Sequence, residues 1–143
     1  MEGADPSVEV WGGLLVARVL VVEDDPDVAQ LLARRLRAYG HNVLSAPSAR
    51  MAINLVGIDF PADVCVLDVN LPGMDGFTLL EELRRHPELD NPELPAVFLS
   101  ASNSPDNHRR SKDLGATYLT KPFISGALQG AILHAIENPQ PAS

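Results

Sequence analysis

Val64-Cys65-Val66-Leu67-Asp68-Val69-Asn70-Leu71-Pro72-Gly73-Met74-Asp75-Gly76 is an apolar run that stops at a carboxylate and a turn. Residues 64–67 show no period-two alternation, the pattern of a strand covered on both faces. Pro72 and Gly73 then break the chain. Strands of this kind belong to parallel sheets, and open α/β folds put their chemistry at the carboxyl ends of such strands. Two other segments end alike. Val19-Leu20-Val21-Val22 runs into Glu23-Asp24-Asp25, and Tyr118-Leu119-Thr120 runs into Lys121-Pro122. Acidic, acidic and basic tips on one sheet edge predict a site.

The flanking chain alternates in the same way. Short apolar runs at Arg18–Val22, 42–45, 64–67, Ala96–Ser100 and Thr117–Thr120 predict strands. Helical spacing falls between them. The first helix is expected over 26–39, with Val28, Leu31, Leu32, Leu36 and Tyr39 apolar, Asp25 as cap, Pro26 in the first turn and Gly40 at the end. The second follows Ser48 over 49–56. The third covers 76–85, with Phe77, Leu80 and Leu83 inward. The fourth, 105–114, is capped by Ser104, stopped by Gly115 and poor in apolar residues. The fifth, 124–137, carries Ile124, Ala127, Leu128, Ala131, Ile132, Ala135 and Ile136 as one stripe. The segment 86–95 reads as a longer surface loop. Repeated strand–helix units with short connections imply an α/β fold: a doubly wound, five-stranded parallel sheet with helices on both faces. Residues 1–16 read as an N-terminal extension, in which Val8-Glu9-Val10-Trp11 is a candidate extra element. Residues 17–137 are the domain, and 138–143 a C-terminal tail.

At 143 residues the chain has room for one well-filled core. The net charge of -8 argues against binding nucleic acid through phosphate contacts. Cys65 is the only cysteine, which excludes an internal disulfide and a Cys-based zinc site. It reads as a small buried hydrophobe. No apolar run reaches membrane-spanning length, and the N-terminus lacks the pattern of a secretory signal. The cytoplasm is the expected location.

If the strand order is 2-1-3-4-5, the first and third strands are neighbours. Glu23 and Asp24 then lie beside Asp68. Carboxylates that close repel one another unless a cation joins them or one takes a proton. Oxygen ligands with room for water suit Mg²⁺, with Mn²⁺ as its substitute. Lys121 and Ser100, at the tips of the fifth and fourth strands, offer an ammonium and a hydroxyl to the same place. Together they form an in-line phosphoryl-transfer site in which Asp68 is the nucleophile and becomes an acyl phosphate.

Val21-Val22-Glu23-Asp24-Asp25, Leu67-Asp68 through Asp75-Gly76, Leu99-Ser100-Ala101 and Gly115-Ala116-Thr117-Tyr118-Leu119-Thr120-Lys121-Pro122-Phe123 resemble, in order, the receiver domain of two-component response regulators. The resemblance covers about residues 17–137. It implies the flavodoxin-like three-layer sandwich and the 2-1-3-4-5 order. It also implies that Asp68 accepts the phosphoryl group. Asp24 and Asp68 would bind the metal directly, Glu23 largely through water, and Asn70 through its main-chain carbonyl. Lys121 and Ser100 would stabilise the phosphoryl group, and Ser100 and Tyr118 would switch. A cis Lys121–Pro122 bond is implied too. The implied function is a switch phosphorylated by a sensor histidine kinase or a histidine phosphotransfer protein, and self-catalysed transfer and dephosphorylation would be its only chemistry. The implied output to a downstream protein uses the fourth helix, fifth strand and fifth helix, and homodimerisation through that face is left open.

The competing reading is a Mg²⁺-dependent phosphohydrolase of haloacid-dehalogenase type, which also uses a strand-end aspartate. That family needs a second carboxylate two residues on, where this chain has Asn70. A flavodoxin-like nucleotide binder needs a Ser/Thr/Gly-rich loop where this chain has Glu23-Asp24-Asp25-Pro26.

Overall fold

The computed structural model describes residues 9–11 and 14–138. The first element among the described residues is a two-stranded antiparallel ribbon, β1 (Glu9–Trp11) against β2 (Leu14–Val16). This is the extra element expected near Trp11. The preceding segment, and the tail beyond Asn138, lie outside the described residues.

Five strands form the main sheet: β3 (Arg18–Val22), β4 (Asn42–Ala46), β5 (Val64–Asp68), β6 (Ala96–Ser100) and β7 (Thr117–Thr120). They are parallel, in the order β4-β3-β5-β6-β7. Counted from β3, this is the 2-1-3-4-5 order. The helices between them are α1 (Pro26–Ala38), α2 (Ala49–Leu55), α3 (Gly76–Arg84), α4 (Pro105–Asp113) and α5 (Ser125–Glu137).

The strands are short because each must leave the sheet where polar residues begin. Within β3 the side chains alternate between two cores. Leu20 and Val22 join Leu67, Phe77, Leu80 and Phe98 on the face covered by α2 and α3. Val19 and Val21 join Leu32, Leu36, Val66, Leu99, Leu128 and Ile132 on the face covered by α1 and α5. Residues apolar on both faces are what a sheet covered twice requires.

The caps set the helix starts. The carboxylates of Asp25 and Asp75 and the hydroxyls of Ser48 and Ser104 accept backbone amides of the first turns. Gly40 and Gly115, at φ of 95° and 66°, end α1 and α4. Two expected core positions differ. Leu31 is 43% exposed and Ile124 is 75% exposed. Leu31 lies one residue, about 100°, round the helix from buried Leu32. Ile124 is the residue before α5, in extended conformation, not its first inward position.

Segment 86–95 is tied down. The His86 ring bonds the Ile53 carbonyl at 3.0 Å and accepts the amides of Glu88 and Leu89, and Leu89 and Leu94 are buried. Cys65 is fully buried, and burial pushes its thiol up to about 12. Among the described residues no helix is long and apolar enough to cross a membrane.

Candidate functional site

β3 and β5 are paired in register up to Val22 opposite Leu67, so the next residues, Glu23 and Asp68, emerge side by side. One carboxylate oxygen from each of Glu23, Asp24 and Asp68 lies within 4.8 Å of the others. Glu23 and Asp68 are buried, and Asp24 faces solvent. β7 pairs with β6 up to Thr120 opposite Ser100, which brings Lys121 to the same edge. Its ammonium lies 3.3 Å from Glu23 Oε2 and 3.7 Å from Asp68 Oδ2. The Lys121–Pro122 bond is cis.

The charges do not balance. Burial, then repulsion by Asp68 and a hydrogen bond with it, raises the Glu23 carboxyl above the ordinary value. Lys121 and the Asp25 amide pull it down without cancelling these effects. One ammonium among three carboxylates leaves the pocket short of positive charge. An all-oxygen donor set with excess negative charge fits a hard divalent cation. The Asn70 amide donates to Asp68 Oδ1 at 3.2 Å, which turns the chain just past the strand.

The other expected residues are placed nearby with different partners. Ser100 is fully buried at the end of β6, and its Oγ accepts the Ser102 amide at 3.1 Å. Its carbonyl accepts the Lys121 amide at 2.8 Å, which joins the two strand ends. Tyr118 is half-buried on the edge strand. Its hydroxyl donates to the Ser102 carbonyl at 2.6 Å and accepts from Asn107 Nδ2 at 3.3 Å. The His108 ring lies 4.3 Å from its own. Glu23, Asp24, Asp68 and Lys121 therefore converge. Ser100 borders them, and Tyr118 stands apart on the α4 side.

Sequence reasoning missed three residues. Arg84, at the end of α3, is buried and donates to the carbonyls of Leu94 and Leu114. Burial lowers its pKa. Arg110 of α4 lies 4.3 Å over the Phe77 ring and 3.6 Å from Asp75. Gly76 packs against the backbone of Asp68. The first two sit in charged stretches of α3 and α4, and the third is set by a backbone contact that leaves no local pattern.

Comparison with known proteins decides the family. The model of the response regulator receiver domain matches residues 19–133, most of the chain. The chain belongs to the response regulator receiver family. The transcriptional regulatory protein TcrA of Mycobacterium tuberculosis is 43% identical over 108 residues, which are 74% of this chain and 40% of that protein. The receiver thus spans less than half the length of that relative. The chemotaxis protein CheY4 of Vibrio cholerae superposes with a TM-score of 0.75 at 29% identity, covering 84% of this chain and 98% of that one. The receiver domain of sensor histidine kinase PA1611 from Pseudomonas aeruginosa PAO1, solved with a magnesium ion coordinated in its active site cleft, gives 0.71 at 25% identity, covering 84% and 97%.

A receiver is a phosphorylation-activated signalling switch and implies a kinase or phosphotransfer partner. The haloacid-dehalogenase alternative finds no support.

Proposed function

We propose that Asp68 is the phosphoacceptor of this receiver. Glu23, Asp24, Asp68 and the main-chain carbonyl of Asn70 would hold Mg²⁺, or Mn²⁺ in its place. The observation that carries the reading is a buried Asp68 with the Lys121 ammonium 3.7 Å from its oxygen and two further carboxylates at hand. The magnesium in the cleft of the PA1611 receiver supports the same assignment here. When bound, the cation neutralises charge on phosphoryl oxygens.

The chain's own residues do the rest. Asp68 Oδ attacks phosphorus in line. The bond to the donor breaks, and its electron pair leaves with the donor's imidazole, or with acetate when acetyl phosphate is used. Lys121 faces the oxygens of the new acyl phosphate, and Ser100 stabilises the same group once its hydroxyl leaves the Ser102 amide. Turning Tyr118 inward would cost its bonds to Ser102 and Asn107, so Ser100 and Tyr118 carry the change to the surface. That surface is the cavity of about 340 Å³ lined by His108, Lys112, Thr117, Tyr118, His134 and Asn138, between α4, β7 and α5. A sensor histidine kinase or a histidine phosphotransfer protein supplies the phosphoryl group in the cytoplasm. A downstream protein reads the α4–β7–α5 face, through which the receiver could also pair with itself. Transfer and autodephosphorylation are the only reactions it catalyses. Residues 17–137 form the functional unit.

The test is labelling by acetyl phosphate. The parent chain takes up one phosphoryl group when Mg²⁺ is present, and Asp68→Asn takes up none. Equal labelling of the variant would refute the assignment.

A further inference from the structure

Gly76 is the first residue of α3, and its φ is not in the left-handed region. Conformational freedom therefore does not explain it. Alanine is the better helix former at an ordinary helical position. The contact explains it. A Cβ built on Gly76 would collide with the carbonyl oxygen of Asp68 and lie 3.1 Å from both its carbonyl carbon and the Cα of Val69. All three are backbone atoms. The Gly76 amide also donates to the Val69 carbonyl at 2.9 Å. The start of α3 and the end of β5 thus pack main chain on main chain.

The helix side cannot yield cheaply. Phe77, Leu79, Leu80 and Leu83 seat α3 in the core, and Asp75 caps it through the Thr78 amide at 2.8 Å. Arg110 of α4 lies over Phe77 and beside Asp75 and adds little to this hold. What remains to move is the Asp68–Val69 peptide. That peptide orients the Asp68 carboxylate and leads directly to Asn70.

We propose that Gly76 is a positioning residue for Asp68: its missing side chain lets α3 act as a backstop that sets the depth of the carboxylate in the pocket. The proposal rests on the reading of Asp68 as phosphoacceptor. A displacement of about 1 Å at a reacting group can cost about a hundredfold in rate. Gly73 supplies the control. It lies in the same turn at φ of 82°, with nothing near its missing Cβ. An alanine there strains the backbone without pushing on Asp68.

The experiment compares the parent, Gly76→Ala and Gly73→Ala. It reads the Mg²⁺ dissociation constant by calorimetric titration, the amide resonances of residues 68–70 without metal, and the acetyl phosphate labelling rate. Gly76→Ala is expected to shift those resonances, weaken Mg²⁺ about tenfold or more and slow labelling about a hundredfold. Gly73→Ala is expected to lose stability but to bind Mg²⁺ within twofold of the parent. Should Gly76→Ala lose cooperative unfolding, the same titration in trimethylamine N-oxide, which favours the compact state, decides it. A Gly76→Ala chain that binds Mg²⁺ and labels within twofold of a labelling parent overturns the proposal. A parent that does not label overturns the phosphoacceptor reading instead.

Discussion

Glu23 carries the tension of the pocket. Its carboxyl is raised, so the ionised form is disfavoured in the folded chain. Its contribution to stability is present while it is protonated and is lost as pH climbs through the raised folded value. At pH 7 the metal-free chain therefore carries a penalty. Glu23→Gln should unfold at higher temperature than the parent in EDTA at pH 7, by on the order of 1 kcal/mol or more, the scale of two like charges about 4 Å apart in water as the lower bound. The gap should close as the buffer is acidified toward pH 4, and calorimetry at both ends checks it. A gap that widens in acid would mean that Lys121, not Asp68, dominates Glu23. Glu23, Asp24, Asp68, Ser100 and Lys121 were legible in the sequence because each follows an apolar run that can only be a strand. Gly76 was not, because its partner is the backbone of a residue eight positions earlier. His41, between α1 and β4, carries no sequence signal for what it does. It is buried, accepts the Ala17 amide at 3.1 Å and meets Gln129 of α5 at 2.8 Å.

α4 is the helix held least by apolar burial. Ser111 is its only buried residue, and it is fastened by Arg110 to α3 and by Asn107 and His108 to Tyr118. Polar fastenings at half-exposed positions contribute little each, so the helix is suited to move when the site changes. Arg84 anchors the end of this region by holding the Leu94 and Leu114 carbonyls. Arg84→Met keeps much of the bulk but leaves both carbonyls unpaired. It should cost about 2–4 kcal/mol, read as a lower urea midpoint at unchanged slope. A change below 0.5 kcal/mol would show that water replaces the guanidinium without loss. Helix and strand bounds were readable to within a residue because Asp25, Ser48, Ser104, Gly40 and Gly115 mark them. The error at Leu31 came from assigning apolar residues to the core by spacing alone. The face that α1 turns to the sheet is set by tertiary packing, and it takes Leu32 and Leu36 but not Leu31.

Across the molecule, two apolar layers hold a rigid sheet whose carboxyl edge collects the charges that the core rejects. The opposite edge is closed differently. Arg18 and buried Asp63 form a salt bridge of 3.0 Å, and Asp63 also accepts the Arg18 amide at 2.8 Å. Stability and site are thus separated, and a cation that binds only the folded edge should stabilise the whole chain. At ten times its dissociation constant Mg²⁺ should add about 1.4 kcal/mol. That corresponds to a rise of about 5 °C in a thermal melt, absent in Asp24→Ala. The alternation of strand and helix made this architecture readable at once, since few topologies join five parallel strands by right-handed crossovers. The ribbon β1–β2 follows no such rule, and only its apolar composition hinted at it. Borohydride trapping tests the account most directly. After incubation with acetyl phosphate and Mg²⁺, reduction converts an aspartyl phosphate to homoserine, and peptide mapping locates it. Homoserine at position 68 alone, and none when EDTA replaces Mg²⁺, is the predicted result. Homoserine at Asp24 or Asp75, or equal yield without metal, would contradict the account.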